Sequence, residues 1–465
     1  VRTDSVGGSA GLTLPRPGAA RVAIIGGGAS GTLTAIHLLA SRSHALCVTV
    51  HEASGVLGAG IAYGTTDDRH LLNVRSRHMS AFPDIPGDLV EWAATTGRES
   101  DAQAFLPRSV YADYLRETLE RMADDRLTVS AGHVHEVEPT ADGYVVHSEA
   151  GTTQVDAVVL AHGNQAPAPL AVGGTPVPAA PWHLANPWDL TGLDALPEEA
   201  TVVLVGTGLT AVDAAITLLE GHPDRRVVMT SRQGLLPFGH VEQSSTAWVS
   251  PIPSGPLTAD QLADLVAEQF AAAERVGVDW RPVVDGLRAP TQSLWQRLDL
   301  DERRRFLSAH ARQWEIRRHR MATGVAARIA SYREDGRLLV VPGGVEAIDD
   351  HGERAEVRLP GLPDPVFVDA VVNCTGPMTD VSRTTDPLLR SLVDRGVLAP
   401  DPLRLGVSCT PEGQVLDEAG QVVPGLYVVG PPRKGTLWES TAVPEIRSQA
   451  AALARVLADQ VRTPA

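Results

Sequence analysis

Cysteine is nearly absent: three in 465 residues, Cys47, Cys374 and Cys409, each isolated from the others in sequence. Without a CxxC or CxxxxC pair there is no place for a redox-active dithiol, and the pattern fits a reducing cytoplasm. No His/Cys/Asp cluster has metal-ligand spacing, so no metal is expected. Positive charge is outweighed, with 40 Lys and Arg against 56 Asp and Glu and a formal net charge of −16. That balance argues against nucleic acid as a partner. Long apolar runs are missing too, and nothing reads as a membrane span. Residues 1–20 are rich in Gly, Ser and Pro and read as a disordered tail lacking the apolar stretch of a secretory signal.

Glycine, by contrast, is patterned. Val22-Ala23-Ile24-Ile25 runs into Gly26-Gly27-Gly28-Ala29-Ser30-Gly31, and Val202-Val203-Leu204-Val205 runs into Gly206-Thr207-Gly208-Leu209-Thr210-Ala211. An apolar β-branched run, a glycine turn and a helix-period segment are the context that makes such a signature credible. Gly26 and Gly206 would make the tight bend, Gly28 and Gly208 would let the backbone approach a pyrophosphate, and a third small residue packs helix on strand. Unpaired N–H groups where the helix begins, at Ser30 and Gly31 or at Leu209 and Thr210, then face the phosphates. The strands that follow end differently. Cys47 to His51 lead into Glu52, a carboxylate suited to a ribose diol, whereas Arg226 to Thr230 lead into Ser231 and Arg232. Ser and Arg welcome a 2′-phosphate that a carboxylate would repel. The first site is therefore expected to hold FAD and the second NADPH. A vestigial site is the alternative, disfavoured because both turns keep their small residues.

The fold class this implies is α/β: two Rossmann-like dinucleotide-binding domains, for FAD and NADPH, with a helical insertion domain. Residues 21–165 and 376–465 are assigned to the FAD domain, 166–256 and 333–375 to the NADPH domain, and 257–332 to the insertion. Ala161-His162-Gly163-Asn164 and Asn373-Cys374-Thr375-Gly376-Pro377 read as the two crossings between domains. Residues 166–199 are Pro-rich and read as a surface linker. In the insertion, Leu257–Val276, Thr291–Leu298 and Asp301–Tyr332 have helical period, with Thr258 and Asp301 as N-caps. Gly425 to Gly430 is the last FAD-domain strand, and a closing helix enters through Pro444.

Leu71-Leu72-Asn73-Val74, Gly208 to Asp213, Gly286-Leu287-Arg288, Arg318-His319-Arg320-Met321 and Gly435 to Arg447 carry a further signal. Through them the chain resembles two-dinucleotide-domain flavoproteins related to flavin-dependent N-hydroxylating monooxygenases, over nearly everything after residue 20. Within that group it looks most like the L-aspartate N-hydroxylases that form nitrosuccinate. The resemblance implies use of NADPH and O2, a helical domain wedged between the nucleotide domains, and an arginine cluster where they meet. One departure is Gly430-Pro431, where many such proteins have Gly-Asp to hold the flavin ribityl chain. That contact is expected instead from backbone groups of residues 438–443, with Trp438 and Thr441 among the cofactor-binding residues. The Baeyer–Villiger signature FxGxxxHxxxW is not matched, His183 and Trp188 being only a faint echo.

The flavin-proximal segment is read as Asn73-Val74-Arg75, with Met79 and Ser80 close by; its bland alternative is a buried turn. Substrate recognition is read from arginine, the natural bidentate clamp for carboxylates. The insertion holds Arg281, Arg288, Arg297, Arg303, Arg304, Arg305, Arg312, Arg317, Arg318 and Arg320, and Arg433-Lys434 follows the last strand. Arg288, Arg320 and Arg433 stand at segment junctions and are the preferred clamps. Together with Asn73 and Lys434 they form the candidate catalytic set. Arg303 to Arg305 are assigned to the surface, neutralised by Asp299, Asp301 and Glu302. Trp295 and Trp314 are read as packing anchors, and His162 and His240 as loop histidines or proton relays.

The function expected is a cytoplasmic, NADPH-dependent FAD monooxygenase that N-hydroxylates a small anionic amino acid. L-Aspartate is the best match, with successive oxidations to nitrosuccinate within its scope. Another small amine or a sulfur substrate is one alternative; a non-catalytic flavin-binding regulatory protein is another. Molecular oxygen is the co-substrate, no nucleic acid or membrane is expected as a partner, and a homo-oligomer is left open.

Overall fold

Ala157–Leu160 and Ala370–Asn373 are buried at every position, as strands covered on both faces must be. They are interior strands of two parallel sheets in the computed structural model of the chain, which describes residues 19–41, 45–242 and 246–462, with side chains to 459. Most of the tail expected over residues 1–20 lies outside the described residues. The architecture is the α/β one expected, with two Rossmann-like sheets and a helical insertion.

The first sheet runs in the order Gln414–Leu416, Val422–Val428, Ala157–Leu160, Ala20–Ile25, Leu46–Glu52 and Leu127–Ala131. All neighbours are parallel except the edge pair Gln414–Leu416 with Val422–Val428. After Leu127–Ala131 the chain makes an antiparallel three-stranded meander over 134–155 and re-enters on the far side of Ala20–Ile25. The winding reverses there, so a crevice opens at the carboxyl ends of Ala20–Ile25 and Ala157–Leu160, where open α/β sheets take ligands. The helices Ala29–Ala40, Arg108–Met122 and Val443–Arg462 pack on one face of the sheet through Leu33, Ile36, Tyr111, Leu115 and Leu453.

The second sheet repeats the plan as His183–Leu184, Ala370–Asn373, Thr201–Val205, Arg226–Ser231 and Leu338–Pro342, all parallel. Its own reversal lies between Thr201–Val205 and Ala370–Asn373. The Pro-rich stretch 166–199 is more than a surface linker. Trp182 is buried and donates to Asp350 Oδ1 at 3.0 Å, His183–Leu184 joins the sheet edge, and Leu190–Asp194 packs on Leu209–Leu219. Two apolar anchors, Trp182 and Leu193, pull a segment whose prolines signalled only turns into the domain.

The insertion is made of Ala259–Arg275, Arg281–Leu287, Thr291–Gln296, Leu300–Ala309, Ala311–Arg318 and Thr323–Glu334. Thr258 caps the first in a capping box with Gln261. The cap expected at Asp301 is Asp299, which accepts from Glu302 N; Asp301 instead lies in the first turn and pairs with Arg304 at 2.8 Å. The single periodic run read over 301–332 is three helices. It is interrupted after Arg318, where Met321 bridges Gly239 of the second domain.

Polar groups join the two nucleotide domains. Arg108 Nη2 lies 2.7 Å from Asp213 Oδ2 on the helix Leu209–Leu219. His70 Nε2 is 2.9 Å from Thr217 Oγ1, which donates to Asp67 Oδ2 at 2.9 Å. Burial pushes the Asp213 carboxyl up, with Arg108 and His70 pulling against it. Burial would raise Asp67 as well, but hydrogen bonds from Arg69 and Thr217 overcome it and hold the carboxyl at about 2. Removing one partner of a buried pair strands the other, at a cost of roughly 3–5 kcal/mol. Arg108→Met is therefore expected to lower the thermal midpoint by several degrees, and Arg108→Met/Asp213→Leu to recover most of the loss. Equal midpoints for wild type and Arg108→Met would refute the clasp.

Candidate functional site

Each glycine turn sits at the reversal point of its sheet and is shaped by close backbone approach. Gly26 has φ of +102°, and a Cβ there would lie 2.6 Å from the Ala161 carbonyl; a Cβ on Gly31 would overlap the Gly26 carbonyl. Gly206 has φ of +137°, and a Cβ would overlap the Cys374 carbonyl on the neighbouring strand. Neither Gly28 nor Gly208 caps its helix with a side chain, and neither helix has an acid in its first turn. Both helix starts therefore present free N–H groups and the positive end of the dipole. Space is open beside Gly208, where a Cβ would meet nothing within 4 Å. These cradles fit a dinucleotide pyrophosphate.

The residues flanking the cradles differ as their chemistry suggested. Glu52 ends Leu46–Glu52; its Oε2 accepts from Gly27 N at 2.7 Å and its Oε1 from Ser54 Oγ at 2.7 Å. In the second domain Ser231 Oγ shares a hydrogen bond of 2.8 Å with Thr207 Oγ1, and the exposed Arg232 makes no side-chain bond among the described residues. Arg312, arriving from the insertion, donates to Thr207 Oγ1 at 3.1 Å and also to the Leu235 carbonyl. Burial lowers its pKa, with Arg232 adding repulsion. Nothing local in the sequence marked Arg312 as belonging to this turn.

Between the cradles lies the segment 73–80. Val74, Arg75, Met79 and Ser80 are buried, and Asn73 is half-buried with no side-chain bond among the described residues. The second domain holds this segment from above. His240 Nε2 sits 3.1 Å from the Asn73 carbonyl, and Arg75 donates to the carbonyls of Val241 and Glu242. Burial pushes His240 down to about 3, so its ring is neutral and Nε2 carries the proton given to Asn73.

The arginines form two groups. Arg288 makes a bidentate pair with Glu445, at 2.6 and 2.9 Å, in the first turn of Val443–Arg462. Arg318 reaches Glu439 at 3.2 Å and Glu445 at 3.5 Å, Arg320 pairs with Asp285, and Arg447 donates to the Ser80 carbonyl at 2.8 Å. Burial would raise the Glu439 carboxyl, but Arg318, His319 and the Trp314 N–H hold it below the usual range. The Nε atoms of Arg318, Arg320 and Arg447 are buried without a partner. This cluster thus brings Arg288 and Arg320 together with four groups that were not among the preferred clamps: Arg318, Arg447, Glu439 and Glu445. Arg433 is placed apart from them. Its guanidinium is enclosed by the first domain, donating to Pro411 O at 2.5 Å and to Gln449 Oε1 at 3.3 Å. It holds the loop under Gly413, and its Nε, like those of Arg318, Arg320 and Arg447, is buried without a partner.

Trp438 has φ of +60°, and its ring turns into the insertion, stacking on Trp295 at 5.0 Å. Two residues fall differently from expectation. Arg303 is not a surface charge: it lies 5.1 Å over the Trp295 ring and donates to the Trp295 carbonyl. Arg305 pairs with Asp260, not with the acids adjacent to it. Gly430, at φ +85°, donates to Gln449 Oε1 at 2.9 Å and faces Ser30 so closely that any Cβ would overlap its hydroxyl. Gln449 thus holds the turn at Gly430 from the closing helix, a contact that sequence spacing did not reveal. Thr441 is exposed just ahead of Val443–Arg462. Lys434, the only lysine in the chain, is 3.3 Å from Glu315 and lies over the Trp438 ring at 4.6 Å.

Residues 23–165 match the family model described as FAD-NAD(P)-binding. No curated protein matches the chain. Among solved structures, the fold is similar to ornithine N-hydroxylase from Kutzneria sp. 744, solved with reduced FAD, NADP+ and L-ornithine. The TM-score is 0.62 at 16% identity, over 96% of this chain and 100% of that one. L-Lysine 6-monooxygenase from Pseudomonas syringae gives 0.62 at 18% identity, over 95% and 99%. Ornithine hydroxylase from Pseudomonas aeruginosa gives 0.61 at 16%, over 96% and 100%. At such identities the likeness is one of fold. No described helix is long and apolar enough to cross a membrane.

Burial holds His51 and His162 at about 4 and His240 at about 3. A histidine with a depressed folded pKa takes up its proton only on unfolding, so stability is lost as pH falls below the unfolded value near 6.5. The thermal midpoint is expected to fall steadily from pH 6.5 towards 4, and the His240 imidazole to show no NMR titration above pH 5. A midpoint near 6.5 for that ring would contradict its contact with Asn73.

Proposed function

We propose that the chain is a flavin-dependent monooxygenase that binds FAD in its first cradle and NADPH in its second, and N-hydroxylates a small amino acid. We further propose that the substrate is acidic, with L-aspartate as the first candidate. The observation that carries the reading is the presence of two dinucleotide cradles together with an arginine cluster between the insertion and the first domain.

When bound and reduced, the flavin supplies the chemistry of oxygen transfer: one atom of O2 to the amine and the other to water, with NADPH as the electron source. The chain's own residues bind, orient and exclude water. Glu52 and the first turn suit the adenosine end of one nucleotide, and Ser231, Arg232 and Arg312 the 2′-phosphate of the other. The clasp of His240 and Arg75 onto segment 73–80 keeps the second domain seated over Asn73, whose free amide is available to a substrate. Arg318, Arg320 and Arg447 keep unpartnered buried N–H groups, which favours a ligand bearing carboxylate oxygens. The solved structures of similar fold are named for ornithine and lysine, which makes those amino acids the sharpest competitors of aspartate.

The test measures NADPH oxidation, O2 uptake and product mass for the FAD-loaded protein with aspartate, glutamate, ornithine or lysine. A hydroxylated amine from aspartate alone is expected. Hydroxylation of ornithine or lysine instead would keep the reaction class and remove the acidic substrate; peroxide without any oxidised amine would remove the monooxygenase reading. Losing a charge-assisted hydrogen bond is worth about 1.5–3 kcal/mol, or about 10–100-fold. Arg320→Met should therefore raise the aspartate KM by that factor while NADPH still reduces the flavin. Arg232→Ala should do the same to the NADPH KM and leave the NADH KM nearly unchanged.

A further inference from the structure

The helical insertion and Trp438 line a half-open cavity of about 280 Å³ that the proposed chemistry does not use. Its walls are apolar and ring-rich, with Phe270, Trp295, Phe306, Trp314 and Trp438 the largest contributors. Protein interiors are close-packed and leave few voids wider than a water molecule, so a ring-lined space of this size asks for an occupant.

The polar groups at its edge are almost all engaged elsewhere. Trp295 donates its indole N–H to the Gly435 carbonyl at 2.8 Å and Trp314 to Glu439 Oε1 at 3.2 Å, so both turn ring faces, not donors, to the cavity. Thr291 Oγ1 is bonded to the Leu287 carbonyl, and His310 lies 3.1 Å from Asp260. Arg317 is the exception. Its guanidinium bonds only Gln313, through the carbonyl and Oε1, and no carboxylate lies within ion-pair distance among the described residues. The rings of Phe238, Phe270 and Trp280 lie 5.4, 6.0 and 5.9 Å from it, and the residue is half-buried. A cation so placed, at the edge of an apolar chamber, matches one negative head group on a hydrophobic body.

We propose that this cavity is a binding site for an arylalkyl carboxylate, with Arg317 taking the carboxylate and the aromatic walls the ring. The site adjoins the Arg288–Arg320 cluster through Leu287 and the Trp314–Glu439 bond, but it uses a different cation and does not depend on the reaction assigned above. It touches the first domain directly, because Trp438 is a wall and Trp295 and Trp314 hold residues 435 and 439. Occupancy would therefore be felt by the segment that leads into Val443–Arg462.

The probe is phenylbutyrate, with phenylbutanol as the uncharged control, added to the purified full chain and read by tryptophan fluorescence and thermal midpoint. Saturable quenching and a raised midpoint are expected for the carboxylate. Arg317→Met should weaken phenylbutyrate about tenfold or more and leave phenylbutanol unchanged. Val266→Trp and, as a milder filling change, Ala263→Phe should weaken both, with flavin absorbance as the check that each variant is folded. Absence of saturable quenching by phenylbutyrate in the wild-type chain would overturn the proposal. So would equal affinity for phenylbutyrate in wild type and Arg317→Met, which would remove the carboxylate assignment.

Discussion

The buried pair of Arg108 and Asp213 fixes how the two nucleotide domains face each other, and the rest of the interface follows from it. Asp213 is an acid in the middle of an otherwise apolar helix, the helix whose N-terminus forms the second cradle. Tying it to Arg108, with His70, Asp67 and Thr217 around it, sets the position of that N-terminus relative to segment 65–80. A hydrophobic contact could supply comparable attraction, but it would tolerate sliding. A short hydrogen-bonded ion pair does not, because a displacement of one ångström leaves charges unpaired in low dielectric. The second domain is then oriented for His240 and Arg75 to close over Asn73.

The sequence made the local parts of this plan readable. Apolar β-branched runs, glycine turns and the residue after the next strand are all encoded within about thirty positions, and the strands and turns that build the two cradles could be located from them. Thr258 and its capping box were visible for the same reason, since a cap and its partner are three residues apart. What could not be read is what depends on approach between distant segments. The pairing of Arg305 with Asp260, when Asp301 and Glu302 stand next to it, is set by how Leu300–Ala309 crosses Ala259–Arg275. Gln449 reaching Gly430, and Trp438 turning into the insertion through a positive φ, are likewise products of packing. Arg433 looked like Arg320 in sequence, each beside a junction; only the enclosing loop at 409–413 separates their roles.

Arginines in an acidic protein invite a simple reading as substrate clamps, and the structure divides them more finely. Some close loops, as Arg433 and Arg75 do. Others neutralise acids at the start of Val443–Arg462, as Arg288 does for Glu445. A helix N-terminus attracts anions, and Glu445 supplies one from within the chain, so Arg288 balances a charge the fold has placed there itself. Arg318, Arg320 and Arg447 are each paired or bonded to a carbonyl and still keep a buried Nε–H without a partner, as Arg433 does.

Lys434 is the only lysine among the chain's cations, and that has an effect on how the interface responds to acid and base. Guanidinium groups keep their proton at any pH a folded protein meets. The guanidinium charges in segments 73–80, 285–320 and 439–447 therefore stay fixed, while the acids and histidines among them do not. A bell-shaped dependence of turnover on pH must then come from groups other than these arginines.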